Sequence, residues 1–166
     1  MASPAAVGAG VIGGSVAVAG TSYAAYTQLR PYDDFLDYAN RNWYVYIGGD
    51  EEKIASKIKG DPSTEDTSNS YKVALKKIKT SLRKDASGTS TSLDDDDIDK
   101  AGKSGETESE TKLTLVKGAV KVWCEANKKN KPAETDGKID WSNEKMKENE
   151  NWKNFAAVCL ESTKKN

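Results

Sequence analysis

Residues 112–129, KLTLVKGAVKVWCEANKK, set the fold class of this 166-residue chain. Leu113, Val116, Val120 and Trp123 recur at spacings of three and four, and Leu115, Ala119, Val122 and Ala126 run in a second row beside them. Apolar residues at that period share one side of an α-helix, and two adjacent rows make the broad stripe of a helix that faces a core. Such a stripe needs a partner, and one lies downstream. Trp152, Phe155, Ala156, Cys159 and Leu160 form the apolar face of a last helix, with Glu144, Glu148 and Glu150 early and Lys164 and Lys165 late, as the helix dipole favours. Between the two, Asn127–Lys138 is a turn region marked by Pro132 and Asp136-Gly137. Ser142 is placed to cap the last helix, although Lys145 leaves the capping box incomplete. Residues 112–166 therefore read as a helical hairpin.

The chain has two cysteines, Cys124 and Cys159, one on each of these helices, and no histidine. Without histidine there is no Ser-His-Asp or Cys-His nucleophile and no histidine-bound metal. An antiparallel helix pair brings two such cysteines within bridging reach, and a bridge closing a loop of about 35 residues stabilises a fold by roughly 4 kcal/mol on the chain-entropy estimate. In a reducing compartment the same two residues serve instead as small buried apolar side chains. The residues alone leave both open.

Upstream, Tyr71–Lys84 reads as an amphipathic basic helix. Tyr71, Leu75, Ile78 and Leu82 form its stripe, and Lys72, Lys76, Lys77, Lys79, Arg83 and Lys84 cover the rest. Those cations suit either an anionic lipid or nucleic-acid surface, or a solvated face that pairs with the acids that follow; the modest bulk of the apolar stripe favours the second. Residues 85–111, poor in apolar side chains and carrying Asp94-Asp95-Asp96-Asp97-Ile98-Asp99, read as a disordered acidic linker. The acidic run is not an EF-hand: counted from Asp95, the sixth position is Lys100 where the loop needs Gly. Asp50–Gly60 is a short helix with Asp50 as N-cap, Ile54 and Ile58 one turn apart, and Gly60 as the stop. Before it, Tyr32, Phe35, Leu36, Ala39 and Trp43 make a helical stripe that passes into the β-prone run Trp43-Tyr44-Val45-Tyr46-Ile47 and ends at Gly48-Gly49.

The N-terminal stretch is of another kind. From Ala2 to Leu29 there is no charged side chain; Ala, Gly and Val dominate, and Tyr23, Tyr26 and Arg30 close it. About 20 helical residues cross a bilayer core, and tyrosines followed by a cation suit the interface, so the stretch reads as a transmembrane helix. Gly10 and Gly14 give it a G-x-x-x-G ridge for close packing with a second copy. Ala17-Val18-Ala19 would suit a cleaved signal, but no positive n-region precedes it. Gly8-x-Gly10-x-x-Gly13, with Asp33 beyond, matches a dinucleotide fingerprint in letters alone, because no strand precedes the glycines.

The net charge of −1 conceals alternating blocks: residues 1–70 carry −4, 71–84 carry +6, 85–110 carry −7 and 111–166 carry +4. Such blocks point to internal pairing or a flexible linker rather than a nucleic-acid surface. The expected architecture is mainly α: an N-terminal membrane anchor over 1–29, a small helical subdomain over 30–84, the linker over 85–111 and the hairpin subdomain over 112–166.

Several of these features together resemble the uncharacterised paralogous membrane and surface protein families of haemotropic mycoplasmas. The resemblance lies in Met1-Ala2-Ser3-Pro4-Ala5-Ala6-Val7-Gly8 before a Gly/Ala-rich apolar segment. It lies also in Val120-Lys121-Val122-Trp123-Cys124-Glu125, in Asp140-Trp141, and in Trp152-Lys153-Asn154-Phe155 with Cys159. It covers both ends of the chain and not Ser68–Thr111. What it implies is a single-pass protein with its body outside the cell, a role in antigenic variation or host contact, and Cys124 and Cys159 as a structural pair. It transfers no catalytic residue, metal ligand or cofactor. The expected partners are the lipid bilayer, a host protein or antibody, and a second copy through the anchor; nucleic acid is not expected. Arg30 and Arg41, taken alone under the positive-inside rule, would place the body on the cytoplasmic side, where the basic helix 71–84 would act on anionic lipid or nucleic acid.

Overall fold

A computed structural model describes residues 30–60, 69–84 and 91–163. The chain divides into two units, Met1–Tyr32 and Asp33–Asn166. The expected anchor, with Gly10 and Gly14, lies outside the described residues. Among the described residues no helix is long and apolar enough to cross a membrane.

The second unit is mainly helical. In chain order it comprises α1 (Phe35–Arg41), β1 (Tyr44–Tyr46), α2 (Glu51–Lys59), α3 (Ser70–Ile78) with a 3-10 turn Lys79–Ser81, α4 (Asp95–Lys100) and α5 (Ser109–Asn127). A small hairpin β2 (Glu134–Thr135) and β3 (Lys138–Ile139) follows, then α6 (Asn143–Glu148), α7 (Glu150–Cys159) and β4 (Leu160–Ser162). The long helix α5 is the centre: α2, α4 and α7 all pack on it. Leu113, Val116, Ala119, Val120 and Cys124 are its buried face. Leu113, Val116 and Val120 of the first row are thus core, and Trp123 is half-buried. In the second row Ala119 is buried as well, whereas Val122 is 37% exposed.

Local chemistry fixes the element ends. Asp50 caps α2 by accepting from the Glu52 and Lys53 backbone N–H groups, and Gly60 closes it at φ 67°. Asn69 does the same for α3 and also donates to the Lys57 and Ile58 carbonyls, tying α3 to the end of α2. The first N–H groups of α1 find the last carbonyls beyond α5: Phe35 N–H donates to Asn130 O at 2.9 Å and Leu36 N–H to Lys128 O at 3.0 Å. Asp136 and Gly137, both at positive φ (51° and 73°), make the two-residue turn of the β2–β3 hairpin.

Four expectations are corrected. The linker 85–111 is not a disordered spacer: residues 91–111 are folded, and 85–90 lie outside the described residues. Leu93, Ile98 and Ala101 are buried, and Asp94 and Asp97 form a reciprocal capping box on α4. Lys84 and Lys112 neutralise Asp97, the acid buried beside these three apolar side chains. The expected subdomains 30–84 and 112–166 belong to one unit, since β1 pairs antiparallel with β4 (Tyr44 with Ser162, Val45 with Glu161, Tyr46 with Leu160). Trp43 is not on the apolar stripe of α1; it sits at φ 67°, turns the chain into β1 and is 67% exposed. The last helix is also broken, at Asn149, which ends α6 and caps α7 by accepting from Trp152 N–H.

Candidate functional site

Aromatic rings from both ends of the sequence meet on one side of α7. Phe35, Tyr38, Tyr44, Trp141, Trp152 and Phe155 lie with centroids 4.9–6.3 Å apart, mostly edge to face. That geometry suits the ring quadrupoles and fills a core rather than a pocket. Tyr38 Oη donates to Asn143 Oδ1 and the buried Tyr71 Oη to the Val158 carbonyl, both at 2.8 Å. Burial pushes the Tyr71 hydroxyl upward from its ordinary pKa, so it stays a neutral donor.

Cys124 of α5 and Cys159 at the end of α7 form a disulfide with Cα atoms 5.7 Å apart, and neither is exposed. The β1–β4 ladder continues beside it, with Ile47 N–H donating to Cys159 O at 2.9 Å. Gly48 lies against the bridge so closely that a Cβ there would clash with Cys124 Cβ and the Tyr46 ring. Tyr46 Oη donates to Glu125 Oε1 at 2.8 Å, and Glu125 also pairs with Lys128. Burial first, and then the Glu125 carboxylate, push the Tyr46 pKa upward.

The basic helix is for the most part engaged. Lys72 is buried, and its Nζ donates to the Asp99 carbonyl at 2.9 Å. Lys76 pairs with Asp99 at 2.6 Å, and Lys79 with Asp95 at 2.8 Å. Lys84 reaches Asp97 at 2.7 Å and Asp94 at 3.7 Å. Lys77 and Arg83 are exposed. The acids 94–99 thus lie along the lysines of 72–84, the internal pairing that the charge blocks anticipate.

Asp97 is the focus of this lattice. Its side chain is 1% exposed and accepts from Lys112 Nζ at 2.6 Å, Lys84 Nζ at 2.7 Å and the Asp94 N–H at 3.2 Å. Burial opposes its ionisation, but the hydrogen bonds from Lys112, Lys84 and the backbone win and hold the carboxyl at about 2. The same contacts push Lys84 and Lys112 upward, so all three stay charged at neutral pH. Among the described residues no group of three or more cysteine, aspartate or glutamate side chains is arranged to hold a metal ion.

Of the sequence-derived candidates, the structure joins Cys124 to Cys159 and sets Lys72, Lys76, Lys79 and Lys84 against α4. Sequence reading passed over Asp97 and Gly48. Asp97 is the last of four consecutive acids, with no local sign that it is the buried one. Gly48 reads simply as a strand stop until the bridge beside it is known. Comparison of the chain with protein-family models, with curated proteins and with solved structures finds no match.

Proposed function

We propose that the chain is a single-pass, membrane-anchored protein whose helical body stands outside the cell and serves, without catalytic activity, as a host-contact module or variable antigen. The observation that carries this reading is the buried Cys124–Cys159 bridge. Bridges of this kind form and persist in oxidising surroundings and are rare in cytosolic proteins. The uncharged stretch Ala2–Leu29 supplies the hydrophobic length for the anchor, and Gly10 and Gly14 supply a ridge for pairing two anchors. The resemblance to the haemotropic mycoplasma families points the same way.

A cytoplasmic-side module acting through residues 71–84 has less to draw on. Of its six cations, Lys72, Lys76, Lys79 and Lys84 are turned to α4. Protease shaving of intact cells expressing the chain with a C-terminal tag tests the proposal. Loss of the tag from unpermeabilised cells is the expected result. A tag that survives until the membrane is opened would place the body inside and return the basic helix to first consideration.

A further inference from the structure

The outward side of α5 carries a seam that the fold does not use. Glu108, Thr111, Leu115, Gly118, Val122 and Lys129 fall at the first and fourth positions of one heptad frame, from the cap before the helix to the turn after it. On the helix they lie opposite Val116, Val120 and Cys124, which face the core. Leu115 is half-buried, and Thr111, Val122 and Lys129 are exposed. Gly118, at the midpoint of α5 (Ser109–Asn127), is the residue that the fold leaves unexplained. Its φ is not positive, and a Cβ there would meet nothing within 4 Å. Neither a turn nor a close approach inside the chain calls for glycine, and glycine in a helix interior is less stable than alanine. What it permits is the close approach of another backbone from outside.

We propose that this face of α5 docks a second copy of the chain, the two α5 helices crossing antiparallel at Gly118. The charges select both the occupant and the orientation. Glu108 is exposed at one end of the seam and Lys129 at the other, and no ion pair among the described residues uses either. Glu108 and Lys129 are spaced symmetrically about the Gly118-Ala119 step, and so are Leu115 and Val122. A two-fold antiparallel pair therefore sets Glu108 of each copy beside Lys129 of the other, and Leu115 beside Val122. A parallel pair would stack Glu108 on Glu108 and Lys129 on Lys129, which like charges oppose. The stretch Ala2–Leu29 carries no charge to answer either end of the seam. About 30 Å of helix, with a face about 10 Å wide, offers about 300 Å² per copy, against about 800 Å² in a standard interface. The association is accordingly weak and reversible.

The test uses the detergent-solubilised full chain, with isotopically light and heavy copies mixed, a water-soluble carbodiimide, and mass spectrometry of the digest. The reagent joins carboxylates to amines in contact, and the isotopes show which links run between chains. The expected result is an intermolecular Glu108–Lys129 link whose yield rises with chain concentration between roughly 1 µM and 1 mM. Gly118→Lys puts like charges at the crossing and should cut that yield several-fold. Its melting temperature should be no lower than the wild type, since lysine is the better helix former. Mixing Glu108→Lys chains with Lys129→Glu chains should give links between positions 108 and 129 at the wild-type yield. Absence of the wild-type link up to about 1 mM overturns the proposal, even where the chains pair through their N-terminal stretches. An undiminished link in Gly118→Lys also overturns it, by showing chance collision. A link from Glu108 to the Met1 amine would instead assign the face to the N-terminal stretch.

Discussion

Asp97 lies between Lys84 and Lys112 with 1% of its side chain exposed, at the point where α4 meets α3 and α5. Its carboxyl is held at about 2, against an ordinary 3.8 in the unfolded chain. A depressed carboxyl stabilises the fold above the unfolded value, and that contribution fades as the pH falls from about 4 towards 2. At about 1.4 kcal/mol per unit the difference amounts to roughly 2 kcal/mol. Asp97→Asn should therefore lower the urea-unfolding stability of the detergent-solubilised full chain by about 2–3 kcal/mol at pH 7, since two lysines lose their counter-charge. The gap should close by pH 2. A gap of the same size at both pH values would show that packing, and not charge, is what the carboxylate supplies. Nothing in Asp94-Asp95-Asp96-Asp97-Ile98-Asp99 marks the fourth acid as buried, because burial there depends on lysines 13 residues before and 15 after it.

At the scale of elements, how much the sequence shows depends on how local the signal is. The stripe of α5 and the caps of α2 are written within a few residues, and both helices form where the sequence places them. So does the passage from α1 into β1, apart from Trp43. The folded state of α4 is not legible in this way. Its composition is that of a solvated spacer, and it folds because Ile98 reaches the core while lysines on other elements neutralise the run. The pairing of Lys76 with Asp99 and Lys79 with Asp95 is exposed enough to add little stability, so removing it should leave the fold intact. What removal should change is the outward field of α3. An Asp95→Asn/Asp99→Asn chain should be retained on heparin more strongly than wild type, and increasingly so at low salt. Equal retention at low salt would mean that the lysines are already available in the native chain.

At the scale of the molecule, the two ends of the described unit are brought to one place. β1 pairs with β4, Thr163 bonds to Trp43, Cys159 O accepts from Ile47, and Gly48 lies on the Cys124–Cys159 bridge. The spacing of the cysteines fits the hairpin of α5 and α7, yet the residues alone equally allow two reduced, buried thiols. The antiparallel meeting of residues 44–46 with 160–162 could not be read from three-residue strands, since their pairing depends on contacts more than 110 residues apart in sequence. A bridge closing 35 residues contributes about 4 kcal/mol on the chain-entropy estimate, a large share of the 5–15 kcal/mol that holds a typical domain. The compartment that permits the bridge is thus tied both to the fold and to the proposed role. The direct measurement is thiol trapping. Intact cells are quenched in acid, the protein is denatured, and a polyethylene-glycol maleimide is added with and without prior reduction. The account predicts no gel shift without reductant and a shift of two adducts after it, from Cys124 and Cys159. Two adducts without reductant would mean that both thiols are free in the cell, which would contradict an oxidised, outward-facing body.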